Sequence, residues 1–249
     1  MSHCPTELLA ETKESTEADE REWMERYSRQ IILPGVGGRG QRTLNQATVA
    51  LFGCGPMAIP LALYLAGAGV GRLLVLASSG SDWLCAMVRD LNPQVTTVAL
   101  APPASLEEAT ALLLAVQMTV LAEGKTSLRE LLNQAAFTVK RPLLAGWQQP
   151  EALLAAGAAA DSASGAACLH CVAQSAQQHL QGRAAADPLL LHVARGAIGS
   201  LLAMETLRSL LGHSSALWHN CLLLLPEQSS YQSLAVQKIS SCPVCASDR

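Results

Sequence analysis

Cys168-x2-Cys171 and Cys242-x2-Cys245 place four thiols in two pairs with metal-ligand spacing. A two-residue gap lets both thiolates of a pair reach one tetrahedral ion, and two pairs complete its shell. A closed Cys4 shell keeps no position open for substrate. The ion expected here is therefore a structural zinc, tying a distant turn to the segment around Cys245. Two disulfides or four free thiols are the other readings of the same residues. His170 lies inside the first pair and, with four cysteines at hand, is read as a neighbour of the site. Cys4 and Cys85 have no partner pattern.

The second chemical constellation is Gly53-Cys54-Gly55-Pro56-Met57-Ala58, set between a strand and a helix. A dinucleotide fold places its phosphate-binding turn there. Gly53 and Gly55 can supply the tight turn and close backbone approach, and Ala58 can stand for the third glycine at the helix–strand contact. Pro56 has no N–H, so one phosphate donor is missing. A nucleotide site also wants an acid at the end of the second strand to hold ribose hydroxyls. That strand ends Leu76-Ala77-Ser78-Ser79, with no carboxylate. This argues against a nicotinamide-dependent dehydrogenase and against tight binding of a ribonucleotide. Cys54 is read as a small buried residue, the alternative being a thiol activated at a helix N-terminus.

Elements that would position these residues follow from the hydrophobic pattern. A helix is expected from about Thr16 to Tyr27, then an arm from Arg26 to Gly35 and a short helix at Gln41–Asn45. From Thr48 to Ala145 strands and helices alternate: strands at Thr48–Phe52, Arg72–Ala77, Val95–Leu100, Met118–Ala122 and Pro142–Ala145, with helices at Met57–Ala68, Trp83–Leu91, Leu106–Val116 and Leu128–Phe137 between them. Alternation of this kind implies parallel strands with right-handed crossovers. Beyond Gly146, Glu151–Ala167 is alanine-rich and fits neither period. Val193–Leu211 reads as a long helix stopped by Gly212, and Cys221–Leu225 with Tyr231–Lys238 as a hairpin. The fold class expected is α/β: a Rossmann-like, mostly parallel sheet with flanking helices and a zinc-bound C-terminal portion with a β-hairpin. Residues 1–22 form a flexible acidic extension in this reading. Residues 23–249 form one domain, with a Rossmann-like part at 23–146 and a zinc-bound part at 147–249.

Half of the 249 residues are hydrophobic, enough for a large buried core, and the net charge of −3 gives no electrostatic case for nucleic-acid binding. Thr43–Gly71 carries no charged residue, but its glycines, Pro56 and Pro60 break it into strand, turn and helix, so no membrane span is expected. Eight cysteines could indicate a secreted disulfide protein. The size of the core and the acidic first 25 residues favour reduced thiols and a cytoplasmic location.

These residues resemble the E1-like activating enzymes of the HesA/MoeB/ThiF type. The resemblance rests on Arg26-Tyr27-Ser28-Arg29-Gln30-Ile31 with Gly40-Gln41, on Val49–Gly71, on Gly196–Glu205 and on the paired cysteines, with weaker support from Leu91-Asn92-Pro93 and Leu132-Asn133. It implies a dimer that binds ATP and magnesium and adenylates the C-terminal glycine of a ubiquitin-like or sulfur-carrier protein, with zinc holding the C-terminal elements. It also implies that Arg29 takes the position of the family arginine that reaches the partner subunit's nucleotide. The other reading of Arg29 is a surface arginine paired with an acid. The departures fall on the ATP and magnesium contacts. The acids after the second strand, the Asn–Arg–Gln stretch and the phosphate lysine are missing. Gly124 stands where the family has a magnesium-holding aspartate, with Glu123 and Lys125 beside it as the residues that could replace lost contacts. No cysteine lies between Cys171 and Arg195, where some relatives carry a sulfur-bearing one. The expected function is a non-adenylating subunit that pairs with an active paralogue or binds a carrier protein, Gly53, Gly55 and Ala58 being a vestigial nucleotide turn. The rival expectation is a working adenylyltransferase.

Overall fold

The computed structural model describes residues 17–158 and 167–246. Five strands pair in parallel: β1 (Thr48–Phe52), β2 (Arg72–Leu76), β3 (Thr96–Leu100), β4 (Met118–Ala122) and β5 (Leu143–Gln148). Three antiparallel strands extend the same sheet: β6 (Leu153–Ala158), β7 (Asn220–Leu225) and β8 (Ser230–Ala235). The order across the sheet is β3-β2-β1-β4-β5-β6-β7-β8. The chain leaves β1 in one direction and resumes at β4 on the other side, so a crevice opens beyond the C-terminal ends of β1 and β4. In parallel α/β sheets ligands bind at such a switch point.

Both faces of the sheet are covered, which is why β1, β2 and β4 read as unbroken apolar runs. One face packs against α3 (Ala58–Ala68), α4 (Ser81–Leu91) and α8 (Pro188–Leu210); the other packs against α5 (Leu106–Leu114), α6 (Thr126–Val139) and α7 (Leu169–Leu180). Helices α1 (Glu17–Ile31) and α2 (Gly37–Gln46) precede the sheet. Pro60 falls in the first turn of α3, where its missing N–H costs no internal bond.

Four stretches differ from, or add to, what the sequence pattern marked. The segment Arg26–Ile31, expected as part of an arm, is the C-terminal part of α1. There Tyr27 is buried, its hydroxyl accepts from Asn92 Nδ2 at 2.7 Å, and Gln30 Nε2 donates to Gly67 O at 3.0 Å. The acidic extension expected at 1–22 lies outside the described residues up to residue 16 and is helical from Glu17. The alanine-rich stretch contains β6, all six residues of which are buried. Alanine and leucine serve both faces there, so no alternation marks it. Helix α8 begins at Pro188, more than a turn before the expected start, because the Asp187 carboxylate accepts from Leu189 N–H at 2.7 Å and Pro188 is pre-set for the first turn. Among the described residues no helix is long and apolar enough to cross a membrane.

Candidate functional site

A cleft of about 680 Å³ occupies the switch point. Its floor is the glycine turn after β1, and its walls are the segments that leave β2, β3 and β4. Gly53 has φ +115°, and a Cβ there would run into the carbonyl of Ala122 at the end of β4. Only glycine allows this turn to approach β4 so closely. Gly53 N–H donates to Leu76 O at 2.9 Å, so the first glycine is spent on joining strands. Ala58 is fully buried in the first turn of α3, where the third glycine's packing role was expected. Cys54 is half-buried beside the cleft and its Sγ donates to Ser79 O at 2.8 Å.

The structure brings Glu123 and Lys125 to this cleft and leaves Arg29 elsewhere. Glu123 follows β4 directly with φ +73°, a conformation that non-glycine residues rarely adopt. Its Oε1 lies 3.3 Å from Arg195 Nε. Arg195 is fixed in turn by two bonds to Gln148 Oε1, 3.0 Å from Nε and 2.7 Å from the terminal nitrogen. Burial pushes the Glu123 carboxyl above the usual carboxylate range, while Arg195 and His192 draw it back. Lys125 lines the cleft as an exposed residue before the first turn of α6. The bend after β2 carries Ala77, Ser78 and Ser79, and no acid lines the cleft on that side. Arg29, in the last turn of α1, is exposed and makes no ion pair among the described residues. The Glu123–Arg195 pair was not legible from sequence, because its members sit on unrelated elements in no motif.

The four cysteines converge as expected. Their sulfurs all lie within 4.8 Å of one another, and all four residues are buried. Cys168 and Cys242 are 3.5 Å apart, Cys171 and Cys245 3.5 Å, and Cys168 and Cys171 3.9 Å. A tetrahedron with Zn–S bonds of about 2.3 Å has S···S edges of about 3.8 Å, so the four can hold one metal ion and suit zinc. His170 is outside the cluster. Cys168 precedes α7, whose start is tied to α6 by Leu169 N–H donating to Asn133 Oδ1 at 2.9 Å. Ile239 N–H points at Cys171 Sγ across 3.4 Å. Without metal, burial pushes the Cys168 thiol up to about 11 and raises Cys171 as well. Burial also acts to raise Cys242, but the backbone N–H groups of Cys245 and Val244 and the neighbouring sulfurs bring it below its usual value. Metal entry must therefore displace protons. Cys85 is buried and unpaired, and Cys4 lies outside the described residues.

The ThiF family model matches residues 27–76, the stretch that carries the end of α1, the glycine turn and β2. The sulfur carrier protein adenylyltransferase of Thermus thermophilus is 28% identical over 251 residues, covering 92% of this chain and 93% of that protein. The adenylyltransferase and sulfurtransferase MOCS3 of Aedes aegypti is 30% identical over 244 residues, 89% of this chain and 55% of the relative. The chain belongs to the E1-like activating enzyme superfamily. This E1-like chain spans about half the length of the MOCS3 relatives it matches. A crystal structure of E. coli MccB with MccA-N7isoASN superimposes with a TM-score of 0.68 at 13% identity, covering 93% of this chain and 83% of that one, a likeness of fold alone.

Proposed function

We propose that this chain is a non-adenylating E1-like subunit that pairs with an active relative or binds a ubiquitin-like or sulfur-carrier protein. The observation that carries this reading is the cleft's charge. Its ionisable side chains outside the thiol of Cys54 are Glu123, already paired with Arg195, and Lys125. Magnesium is held by carboxylates and substrate phosphates, and polyphosphate needs several cations in place. Neither set is assembled among the described residues lining the cleft. Residues 23–249 act as one E1-like domain in this proposal, with zinc on Cys168, Cys171, Cys242 and Cys245 as structural support. Gly53, Gly55 and Ala58 then keep the turn for packing alone.

What remains available is Arg29. Tyr27, bonded to Asn92 after α4, and Gln30, bonded to Gly67 in α3, anchor the end of α1, and the exposed Arg29 side chain can meet a second subunit. In a heterodimer it would reach the relative's nucleotide, as an arginine finger does. Mixing the chain with an intact E1-like relative is expected to give a heterodimer by mass photometry. Arg29→Ala should lower the relative's ATP–pyrophosphate exchange in that complex about tenfold to a hundredfold, within the range of lost arginine contacts. Homodimers only, or exchange indifferent to Arg29, would reject the subunit reading.

The names of the relatives favour a second reading, an active adenylyltransferase for a carrier protein's C-terminus. In that case Glu123 and Lys125 supply the metal and phosphate contacts. Exchange by the chain alone, lost in Glu123→Ala, would be its signature.

A further inference from the structure

The Glu123 side chain lies over the glycine turn that forms the floor of the cleft. Three observations define its position. Its backbone takes a left-handed conformation that turns the residue inward from the end of β4. Its Oε2 lies against Gly55, so closely that a Cβ added to Gly55 would collide with it. Its Oε1 lies 3.3 Å from Arg195 Nε, and Arg195 itself donates two hydrogen bonds to Gln148 Oε1. The carboxylate thus sits over the second glycine of the turn, in an ion-pair contact with Arg195. It also forms part of the wall between the main cleft and a neighbouring cleft of about 460 Å³ that holds Arg129, Trp147 and Arg195. Glycine turns accept phosphate because bare backbone lets an anion approach. Here that approach meets the Glu123 side chain, whose carboxyl is already paired with Arg195.

We infer that Glu123 is the specificity-determining residue of this cleft. It fills the hollow over Gly55, excludes polyphosphates, and restricts the cleft to ligands that carry no phosphate chain. The inference rests on the non-adenylating reading above and explains how exclusion is achieved. It also assigns Glu123 the reverse of a metal-holding role, so the two roles predict opposite signs for one substitution.

The test is calorimetric titration of the full chain with Mg·ATP and, separately, with inorganic pyrophosphate. Wild type, Glu123→Gly and Glu123→Gln are compared, with melting temperature and metal content read alongside. Glycine suits the positive φ, so Glu123→Gly should fold at least as well as wild type. Its affinity for both ligands should rise about tenfold or more. Glu123→Gln keeps the bulk and drops the charge, and should gain less. Unchanged or weaker binding in Glu123→Gly overturns the inference. If that variant does not fold, no gain in Glu123→Gln does so. The readout is the ratio of variant to wild type, whereas the subunit reading stands or falls on the wild-type chain's own exchange activity. The two can therefore fail separately.

Discussion

Cys168→Ser is expected to lose its stoichiometric metal and to melt about 6–10 °C below the wild-type chain. Structural zinc contributes roughly 10–16 kcal/mol of apparent binding free energy in small zinc domains. A domain with its own large core needs less of it, but the four thiols here join distant segments. The start of α7, the turn at Ile239–Cys242 and Cys245 meet at this cluster, with Phe137 and Val244 packed around it. Removing one thiolate opens the shell and leaves three buried sulfurs facing each other. A loss of about 3–5 kcal/mol corresponds to roughly 6–10 °C for a chain of this size. Metal analysis should give about one zinc per wild-type chain. A metal-free protein that melts at the wild-type temperature would show that the cluster holds nothing that matters to folding.

Gly199→Ala should destabilise the protein by about 2–4 kcal/mol, while Gly196→Ala on the same helix should stabilise it by about 0.5–1 kcal/mol. Helix propensity alone predicts a gain at both positions, since alanine is the better helix former. Packing separates them. A Cβ on Gly199 would run into the carbonyl oxygen of Met57 and come within 2.8 Å of Pro60 Cγ, whereas at Gly196 it would meet nothing within 4 Å. The oxygen of Met57 is backbone at the entry to α3, so it cannot turn aside. Relief requires α8 to move off α3, and Gly146 on β5 sits under the same crossing, close to Met57 Sδ and Leu202. Chemical denaturation of the three proteins is the check; two changes of equal sign would mean that the close crossing of α3 and α8 is not what holds this layer.

Much of this molecule can be read from its residues because several levels agree. The cysteine spacing led to the cluster, and alternating apolar runs led to five parallel strands and their helices. The glycine turn fell at the switch point where such folds bind ligands. What escaped was tertiary in origin. β6 hides in Leu153-Leu154-Ala155-Ala156-Gly157-Ala158, because a strand buried on both faces by small residues has no period. The first cysteine pair drew attention to metal and away from α7, which it starts. The helical state of Arg26–Ile31 depends on Tyr27 being buried against Asn92, a contact between distant segments. Glu123 and Arg195 are two ordinary charges until the fold sets β4 beside α8. That pair is the feature on which the functional account turns.

In the proposed function, the cleft of this chain does not process triphosphate. ATP–pyrophosphate exchange by the purified wild-type chain, with magnesium and a ubiquitin-like or sulfur-carrier protein ending in glycine, tests it most directly. The predicted result is no exchange above a protein-free blank. Magnesium-dependent exchange that scales with the amount of this chain would contradict it.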